Sequence, residues 1–293
     1  MITRILYITS TLKRTGPNNV MLTLISELDR NIFEPVVLTL SDDDPNFPSL
    51  VDDFQKIEVK TISMSLTRIQ GFLYGSKLIK ELVVNMDIKA IHIYGFRGDM
   101  LIKKRNFGDI KIISTINSNL YDDYTMLYGN VKGKFMAWLH INSIKKKEAV
   151  GCSRFVATQL QERYGISLRV INNGVSKDQY IVASDLEKVE ARKKLNLPLD
   201  HKVFVFVGYL IFRKDPLTTI KGFLDANLGE KTTLVMIGDG ELMNDCKSSA
   251  NASKNILFFG NQPETLTFLK ASDYYISSAY SEGLPTSVME ALG

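Results

Sequence analysis

Short apolar runs rich in β-branched residues alternate along this chain with longer stretches of helical periodicity. The apolar runs of the first half are, in order, RILYIT, FEPVVLTL, KTISM, AIHIYG, KIISTI, EAVGCS and RVINNG. Stretches such as NNVMLTLISELDR and YGSKLIKELVVNM lie between them and predict helices, because their apolar residues recur every three or four positions. This alternation is typical of parallel sheets covered by helices.

The alternation restarts in the second half of the chain. VFVFVG, TLVMIG, ILFFG and YYISSA predict further strands, and helices are expected near residues 214–227, 241–250 and 263–271. A polar, charged stretch separates the halves, so we place a boundary near residue 175 and predict domains at 1–175 and 176–293. Doubly wound α/β domains bind ligands beyond the carboxyl ends of their strands, and a crevice between the two domains is the expected active site.

Composition and charge narrow the class of protein further. The 293 residues include 36 Lys and Arg against 32 Asp and Glu, and the net charge of +4 permits weak attraction to phosphates or an anionic membrane without indicating nucleic acid. The 2 cysteines predict no disulfide scaffold and fit a reducing cytoplasm. We expect no signal peptide and no spanning helix, because no apolar run approaches roughly 20 residues. The 3 histidines lack metal-binding spacing, so no metal site is predicted.

Two cations follow the first strand of the second domain. In VGYLIFRKDP the strand is expected to end at Gly208, and Arg213 and Lys214 precede Pro216, which favours the start of a helix. An Arg and a Lys at such a junction can neutralise a diphosphate, and the alternative is an exposed loop pair. Gly238, in VMIGDGEL after the next strand, permits close approach of the backbone.

The closing segment YSEGLPTSVMEALG combines two glutamates with a helix start. Glu282 and Gly283 lie in a predicted loop, Pro285 favours a first helical turn, and Thr286 is expected at a helix N-terminus, where N–H groups bind phosphate oxygens. Glu290 projects from the same helix face as Thr286 and can accept two hydroxyl hydrogen bonds, as from a ribose diol. The alternative is that Glu282 only caps the helix and Glu290 lies on its surface.

A glycine turn also precedes the first helix of the chain. In STLKRTGPNNVMLTL, Gly16 leads into the helix, and its N–H groups would suit a phosphate. The alternative is an ordinary turn in which Asn18 or Asn19 caps the helix. The pattern lacks the glycine spacing of a dinucleotide fold.

Taken together, these segments resemble the retaining glycosyltransferases of family 4, which have the GT-B fold. The family mark, two glutamates separated by seven residues, is found here in SEGLPTSVMEA, from Ser281 to Ala291. RTGPNNVMLTL, VINNGV, VGYLIFRKDP, LVMIGDGEL and ILFFGNQPETLTFLKASDYYISSAYSEGLP occur in family order, so the resemblance spans the whole chain. It implies two Rossmann-like domains facing a central crevice, the first for the acceptor and the second for the sugar nucleotide.

The resemblance also implies roles for the candidate residues. Glu290 would hold the donor ribose, Glu282 would contact the transferred sugar, and Lys214, with Arg213 as a second cation, would stabilise the departing diphosphate. The other donor-binding candidates are Gly16, Gly208, Gly238, Gly260, Gly283, Leu284, Pro285 and Thr286. The implied reaction transfers a hexose from a UDP- or GDP-linked donor with retention of the anomeric configuration and without a cofactor.

Three features depart from the family pattern. Tyr209 stands where many members have Arg, and Arg213 is the expected substitute. Asn117 stands where the family often has His, and since an amide is no general base, that role is unassigned. Members normally continue after the EALG segment, so the second domain is expected to be incomplete.

The first domain offers candidates for the acceptor and for a membrane. NSNLYDDYTMLYG is rich in Tyr and Asp, which stack on and hydrogen-bond sugars, and it supplies the acceptor-side candidates Asn117, Asp122 and Tyr124. GKFMAWLHINSIKKKEAV predicts an amphipathic helix with Lys132, Lys134 and residues 145–147 at its ends. Such a helix can lie on an anionic membrane, and core packing with an exposed lysine tail is the alternative.

Two other functional classes remain open. A non-catalytic subunit that keeps the fold is favoured by Tyr209, Asn117 and the short second domain. A sugar-nucleotide epimerase could use a similar scaffold, although the two-glutamate motif favours a transferase. The resemblance implies a setting in bacterial capsule, O-antigen or exopolysaccharide assembly, in the cytoplasm at the inner face of the plasma membrane.

Overall fold

The computed structural model describes residues 2–145 and 147–292. Lys146 of the predicted basic helix end and Gly293 of the closing segment therefore lie outside the described residues. The chain divides into two compact units, Met1–Gly174 and Val175–Gly293, and each is built on its own parallel sheet. Among the described residues, no helix combines the length and the apolar character that crossing a membrane requires.

The first unit contains a seven-stranded sheet with the order β3-β2-β1-β4-β5-β6-β7. Its strands are β1 (Thr3–Thr9), β2 (Phe33–Thr39), β3 (Lys60–Ser63), β4 (Ala90–Tyr94), β5 (Lys111–Ile116), β6 (Glu148–Gly151) and β7 (Arg169–Val170). The strands predicted from the apolar runs are confirmed, although β7 has only two residues where RVINNG predicted a longer strand. All neighbouring strands pair in parallel, as the βα alternation predicted.

Helices connect the strands of the first unit. They are α1 (Gly16–Ser26), α2 (Val51–Lys56), α3 (Arg68–Gln70), α4 (Ser76–Asn85), α5 (Phe96–Lys103), α6 (Leu120–Tyr128), α7 (Asn130–Ile144) and α8 (Arg154–Tyr164). A single π-helical turn, Gly71–Gly75, joins α3 to α4. The sheet is apolar on both faces: Leu6 and Ile8 of β1 belong to a core cluster with residues of α4 and α5, whereas Tyr7 packs with residues of α1 and α2.

The N-terminus of α1 differs from the prediction that Asn18 or Asn19 caps it. Thr15 is the cap, because its hydroxyl oxygen accepts a hydrogen bond from the backbone N–H of Asn18 (3.4 Å). The buried side chain of Asn18 instead donates to the carbonyls of Thr11 and Lys13, at 2.9 and 2.8 Å. Asn18 therefore holds the loop between β1 and α1 in place.

The second unit contains a four-stranded parallel sheet with the order β10-β9-β8-β11. Its strands are β8 (Lys202–Val207), β9 (Thr232–Ile237), β10 (Ile256–Gly260) and β11 (Tyr274–Tyr275). Its helices are α9 (Asp185–Lys194), α10 (Pro216–Asp225), α11 (Met243–Ser249), α12 (Leu266–Ala271) and α13 (Thr286–Leu292). The predicted strands and helices are confirmed, with β11 shorter than YYISSA indicated.

Candidate functional site

Two predicted cations of the second unit lie beyond the carboxyl end of β8. The strand ends at Val207, and the chain then forms a short 3-10 turn, Phe212–Lys214. Asp215 follows in the left-handed conformation (φ 46°), and its side chain caps α10 by accepting a hydrogen bond from the N–H of Thr218 (3.3 Å). This turn fixes Arg213 and Lys214 immediately before the helix, as the sequence predicted.

Glu282 is bridged by both of these cations. Its Oε1 accepts a hydrogen bond from Nζ of Lys214, and its Oε2 lies 3.4 Å from Nη1 of Arg213. The same Nη1 donates to the carbonyl of Ser281 (2.8 Å), and the N–H of Tyr280 donates to the carbonyl of Arg213 (3.0 Å). The three charged side chains are only 15–23% exposed. We call Arg213, Lys214 and Glu282 the Glu282 cluster.

Backbone crowding explains two glycines after β9. Gly238 has a φ of 126°, and a methyl group there would lie 1.9 Å from the carbonyl oxygen of Gly208. A methyl group on Gly240 would lie 2.4 Å from the carbonyl oxygen of Leu210. At Gly208, by contrast, a methyl group would make ordinary contacts of 3.7 Å with the side chain of Lys214. The loop after β9 thus packs directly against the loop that leads to the cations.

Gly260 is the last residue of β10, the strand that pairs with β9. Its carbonyl accepts a hydrogen bond from the N–H of Gly238 (2.8 Å). It has a φ of 66°, and apart from its two chain neighbours no described residue has an atom within 4 Å of the position of an added methyl group. The backbone at Gly260 therefore borders open space, and its predicted donor contact stays a prediction.

The closing segment connects the Glu282 cluster to α13. Gly283, Leu284 and Pro285 follow Glu282, and α13 begins at Thr286, the predicted helix start. Glu290 lies within this helix and is half-buried. The prediction that Glu282 precedes a helix that carries Glu290 therefore agrees with the structure.

Tyr275, which the sequence did not single out, links this helix to the end of β8. Its hydroxyl lies 2.8 Å from Oγ of Ser287 and donates to the carbonyl of Val207 (3.3 Å). Burial raises the pKa of Tyr275 to about 12, and the negative charges of Glu282 and Glu290 contribute to the rise. Both glutamates therefore lie near the same phenol.

The candidates in the first unit occupy separate elements. Gly16 is the first residue of α1, and Asn117 directly follows β5, with a buried Oδ1 that has no hydrogen-bond partner among the described residues. Asp122 and Tyr124 lie on α6, where Asp122 pairs with Arg163 at 3.1 Å. The described contacts do not join Asn117, Asp122 and Tyr124 into one cluster, and their roles stay predictions.

A buried polar network around Asp99 was not predicted. The carboxylate accepts hydrogen bonds from Ser114, from Lys147 and, at 2.5 Å, from Nε2 of His140, whose Nδ1 lies 2.8 Å from the hydroxyl of Tyr124. Burial alone would raise the pKa of Asp99, but the hydrogen bonds and charges of His140 and Lys147 outweigh burial and lower it. Lys147 is 11% exposed, so its assignment to an exposed or membrane-facing lysine tail is wrong.

Solved structures share this architecture along almost the whole chain. HepE of Anabaena, crystallised with UDP and glucose, superposes with a TM-score of 0.81 at 13% identity, over 99% of this chain and 78% of that chain. Sucrose-phosphate synthase of Thermosynechococcus elongatus gives a TM-score of 0.80 at 15% identity, over 99% of this chain and 79% of that chain. Both share the GT-B arrangement of two Rossmann-like domains, and at these identities they show the fold alone.

Curated relatives are similar over parts of their own lengths. The UDP-Gal:α-D-GlcNAc-diphosphoundecaprenol α-1,3-galactosyltransferase of Escherichia coli is 34% identical over 43% of this chain and 34% of its own length. The α-monoglucosyldiacylglycerol synthase of Streptococcus pneumoniae is 23% identical over 92% of this chain and 64% of its own length. The chain thus spans less than two thirds of either relative.

Two family models together match most of the chain. The model of Glycosyl transferases group 1 matches residues 187–293, which include the Glu282 cluster and α13. The model of Glycosyltransferase Family 4 matches residues 14–179, more than half of the chain. The order of motifs and the fold agree with these matches, and the chain belongs to glycosyltransferase family 4.

Proposed function

We propose that this protein transfers a hexose from a sugar nucleotide to a saccharide or lipid-linked acceptor, with retention of the anomeric configuration, in bacterial surface polysaccharide assembly. The observation that carries the proposal is the Glu282 cluster, which lies beyond the carboxyl end of β8 and ahead of the helix with Glu290. Ligands of doubly wound sheets bind at that end of the strands. Two fixed cations there would stabilise the charge that develops on a departing diphosphate.

Each residue of the site has a part in this proposal. Lys214 and Arg213 bind the diphosphate, Lys214 as a point charge and Arg213 as a planar fork. Glu290 accepts the ribose hydroxyls, and Glu282 orients both cations and accepts a hydroxyl of the transferred sugar. Asn117 cannot take a proton, so the departing diphosphate itself receives the proton of the acceptor hydroxyl on the same face of the sugar.

The donor is proposed to be a UDP- or GDP-linked hexose. The binding of UDP and glucose by HepE, a protein of the same fold, supports the uridine nucleotide. We assign no cofactor and no metal, because Lys214 and Arg213 supply the positive charge that a leaving diphosphate requires.

The acceptor is proposed to be linked to a lipid. The names of both curated relatives describe lipids: a sugar on diphosphoundecaprenol in Escherichia coli and a glucosylated diacylglycerol in Streptococcus pneumoniae. An enzyme that acts on such acceptors must reach a membrane surface, and we place this reaction at the inner face of the plasma membrane.

The helix α7 supports a contact with that membrane. Val131, Phe135 and Trp138 are 88, 58 and 58% exposed and lie on one face of the helix, while Gly133 and Ala137 are buried on the opposite face. The rings of Phe135 and Trp138 stack with centroids 6.0 Å apart. The exposed side chains of Lys132, Lys134 and Lys145 flank this face. Apolar rings flanked by lysines suit the interface of an anionic bilayer.

A thermal-shift panel with UDP, GDP, ADP and their common sugars tests the proposed donor site. We expect one nucleotide class to raise the melting temperature of the protein, and we expect Glu290→Ala to remove that rise, because the ribose would lose its acceptor. Stabilisation that is equal in the variant would contradict the assignment of Glu290. Stabilisation that is equal for all three nucleotides, which share the ribose, would contradict a base-specific donor site.

An assay for sugar transfer and for donor hydrolysis then distinguishes an enzyme from a non-catalytic subunit, because only an enzyme would consume the donor. Product analysis without an acceptor separates a transferase from an epimerase, since only an epimerase would convert the donor sugar. We expect slow donor hydrolysis without epimerisation and faster consumption of the donor when a lipid-linked acceptor is added.

A further inference from the structure

The 3-10 turn that carries Arg213 and Lys214 is followed by a residue with an unusual backbone. Asp215 caps α10 with its side chain, yet its φ of 46° lies in the left-handed region, which residues other than glycine rarely occupy. Helix N-caps normally have an extended backbone. The backbone is extended at each of the other side-chain caps that the structure describes, namely Thr15, Thr67, Asn119, Ser153 and Ser184. Capping of α10 therefore does not explain the left-handed conformation of Asp215.

Two hydroxyl groups hold the backbone of Asp215. Oγ of Ser278, in the loop after β11, donates to the carbonyl of Asp215 at 2.6 Å, and it lies 2.6 Å from Oγ1 of Thr219, a buried residue of α10. Because a serine hydroxyl has one proton and a carbonyl can only accept, Thr219 donates to Ser278. A hydrogen-bond chain thus runs from Thr219 through Ser278 to Asp215, and the bonds of such a chain polarise one another.

The residues after Ser278 follow the same turn towards the Glu282 cluster. The N–H of Tyr280 donates to the carbonyl of Arg213 (3.0 Å), and the ring of Tyr280 stacks on that of Phe212, with centroids 5.3 Å apart and planes at 29°. We call residues 278–282 the clamp segment. Together with the ion pairs of the Glu282 cluster, these contacts attach the clamp segment to the turn along its whole length.

We propose that Ser278 and Tyr280 are positioning residues of the donor site, which hold the turn so that Arg213 and Lys214 are fixed before a diphosphate departs. Strained backbone conformations persist only where the surrounding structure enforces them, and they are common at functional sites. Cations that are fixed in advance stabilise developing charge without the cost of reorganisation. This inference rests on the proposed function in so far as a departing diphosphate is the ligand of the two cations.

The exposure of the aromatic pair distinguishes this role from ordinary core packing. Phe212 and Tyr280 are 55 and 58% exposed. Because both rings remain largely in contact with solvent, their stacking buries little apolar surface and contributes little to the stability of the unit. Its local effect is to restrain the turn against the clamp segment. Removal of the ring of Tyr280 is therefore expected to loosen the turn without unfolding the unit.

Hydrolysis of UDP-glucose, or of the GDP- or ADP-linked hexose if the thermal-shift panel selects that base, tests both residues. We expect Ser278→Ala to lower kcat by about tenfold and to change KM by less than about threefold. The bound diphosphate can draw loosened cations into place in the ground state, whereas the transition state requires them already fixed. Tyr280→Ala is expected to lower kcat by about threefold, since its backbone hydrogen bond remains. Ser278→Thr keeps the hydroxyl and is expected to keep kcat within about twofold.

Ser272→Ala is the matched control. Ser272 is half-buried in the same unit, and its hydroxyl also donates to a backbone carbonyl, that of Phe268, at 2.7 Å. We expect its replacement to lower the melting temperature about as much as Ser278→Ala does, because each variant loses a hydrogen bond of the same kind. We expect kcat and KM of the control to be unchanged.

Hydrogen–deuterium exchange measured by NMR follows the turn without a substrate. The backbone amides of Lys214 and Asp215 donate to the carbonyl of Ile211, at 3.0 and 3.3 Å. We expect both amides to exchange several-fold faster in Ser278→Ala and at the original rate in Ser272→Ala, because only the first variant frees the turn. If Ser278→Ala proves too unstable to measure, Tyr280→Ala at the exposed position provides the same test.

Three results in an active protein would overturn the positioning role. They are unchanged kcat in both Ser278→Ala and Tyr280→Ala, a loss of kcat without faster exchange of the two amides, and an equal loss of kcat in Ser272→Ala. The proposed function is tested separately, by the nucleotide-dependent melting shift and by donor consumption in the unsubstituted protein. If that protein shows neither, the proposed function is contradicted. Faster exchange in Ser278→Ala would then still support the clamp, and unchanged exchange would overturn it.

Discussion

Glu282 and Lys214 are expected to affect nucleotide binding in opposite directions. The carboxylate of Glu282 uses hydrogen bonds of Lys214 and Arg213 that a diphosphate would also use. Glu282→Gln removes the competing charge, so we expect tighter binding of the nucleoside diphosphate. Lys214→Met removes one of the cations, so we expect weaker binding. Both variants are expected to lower kcat, since each removes a group that acts during transfer.

The exposure of the cluster sets the size of these effects. Two unit charges 4 Å apart interact by about 4 kcal/mol at an effective dielectric constant of about 20, whereas exposed ion pairs contribute only about 0.2–1 kcal/mol. Because the side chains of the Glu282 cluster are 15–23% exposed, we take an interaction energy between these two limits for the charge that Glu282→Gln removes. About 1–2 kcal/mol corresponds to about five- to thirtyfold tighter binding. A charge-assisted hydrogen bond is worth about 1.5–3 kcal/mol, so Lys214→Met is expected to weaken binding about ten- to 150-fold.

Isothermal titration with UDP, GDP and ADP measures both effects. The matched control is Glu187→Gln, because Glu187 forms an ion pair with Lys270 at 2.7 Å in the same unit. We expect this control to leave nucleotide affinity unchanged. If Glu282→Gln weakens binding as strongly as Lys214→Met, Glu282 does not compete with the diphosphate, and the reasoning from shared cations is wrong.

Three further predictions concern stability and membrane contact. Asp99→Ala is expected to lower the free energy of unfolding at neutral pH by about 3–5 kcal/mol, since Lys147 loses its buried partner. Because the pKa of Asp99 is lower in the folded chain, its carboxylate stabilises the protein above the unfolded pKa. Urea titrations should therefore show that the difference in unfolding free energy between the two proteins shrinks as the pH falls through the folded pKa. Gly238→Ala should abolish a cooperative melt of the second unit, whereas Gly222→Ala, with open space around it, should not. The fluorescence of Trp138, the only tryptophan, should shift to the blue with anionic vesicles at low salt and stay unchanged with neutral vesicles.

Much of the fold could be predicted because parallel strands buried on both faces require near-continuous apolar runs. The short strands β7 and β11 were overestimated for the same reason. One β-branched residue, Ile171 or Ile276, follows the paired residues in RVINNG and in YYISSA, but the ladder to the neighbouring strand includes only two residues in each case. The length of such a strand depends on how many of its residues pair with the neighbouring strand. This pairing is set by the sheet and cannot be predicted from the local sequence.

The positions of the candidate residues on loops and helices could be predicted from the sequence, but the contacts between them could not. The spacing from Glu282 to Glu290 and the position of Lys214 before α10 follow from local turn and helix signals. The ion pair between Lys214 and Glu282 joins residues 68 positions apart. The loop that leads to Glu282 has no periodicity, so nothing in the sequence fixes its path. Tyr275 was missed because its role depends on this same long-range packing.

Two charged residues of α5, Asp99 and Arg97, have different kinds of partner in the folded chain, and their positions in the sequence do not indicate this difference. Asp99 and Arg97 are two positions apart, and both lie at least partly inside the first unit. Asp99 is compensated by Lys147 and His140, which come from α7 and the segment after it. The fold can therefore bring opposite charges to α5 where stability requires them. It brings none to Arg97 among the described residues, and the nearby charge of Arg68 has the same sign. The hydroxyl oxygen of Ser41 accepts hydrogen bonds from both terminal nitrogens of Arg97, so a neutral partner holds this arginine while an ionic network holds Asp99.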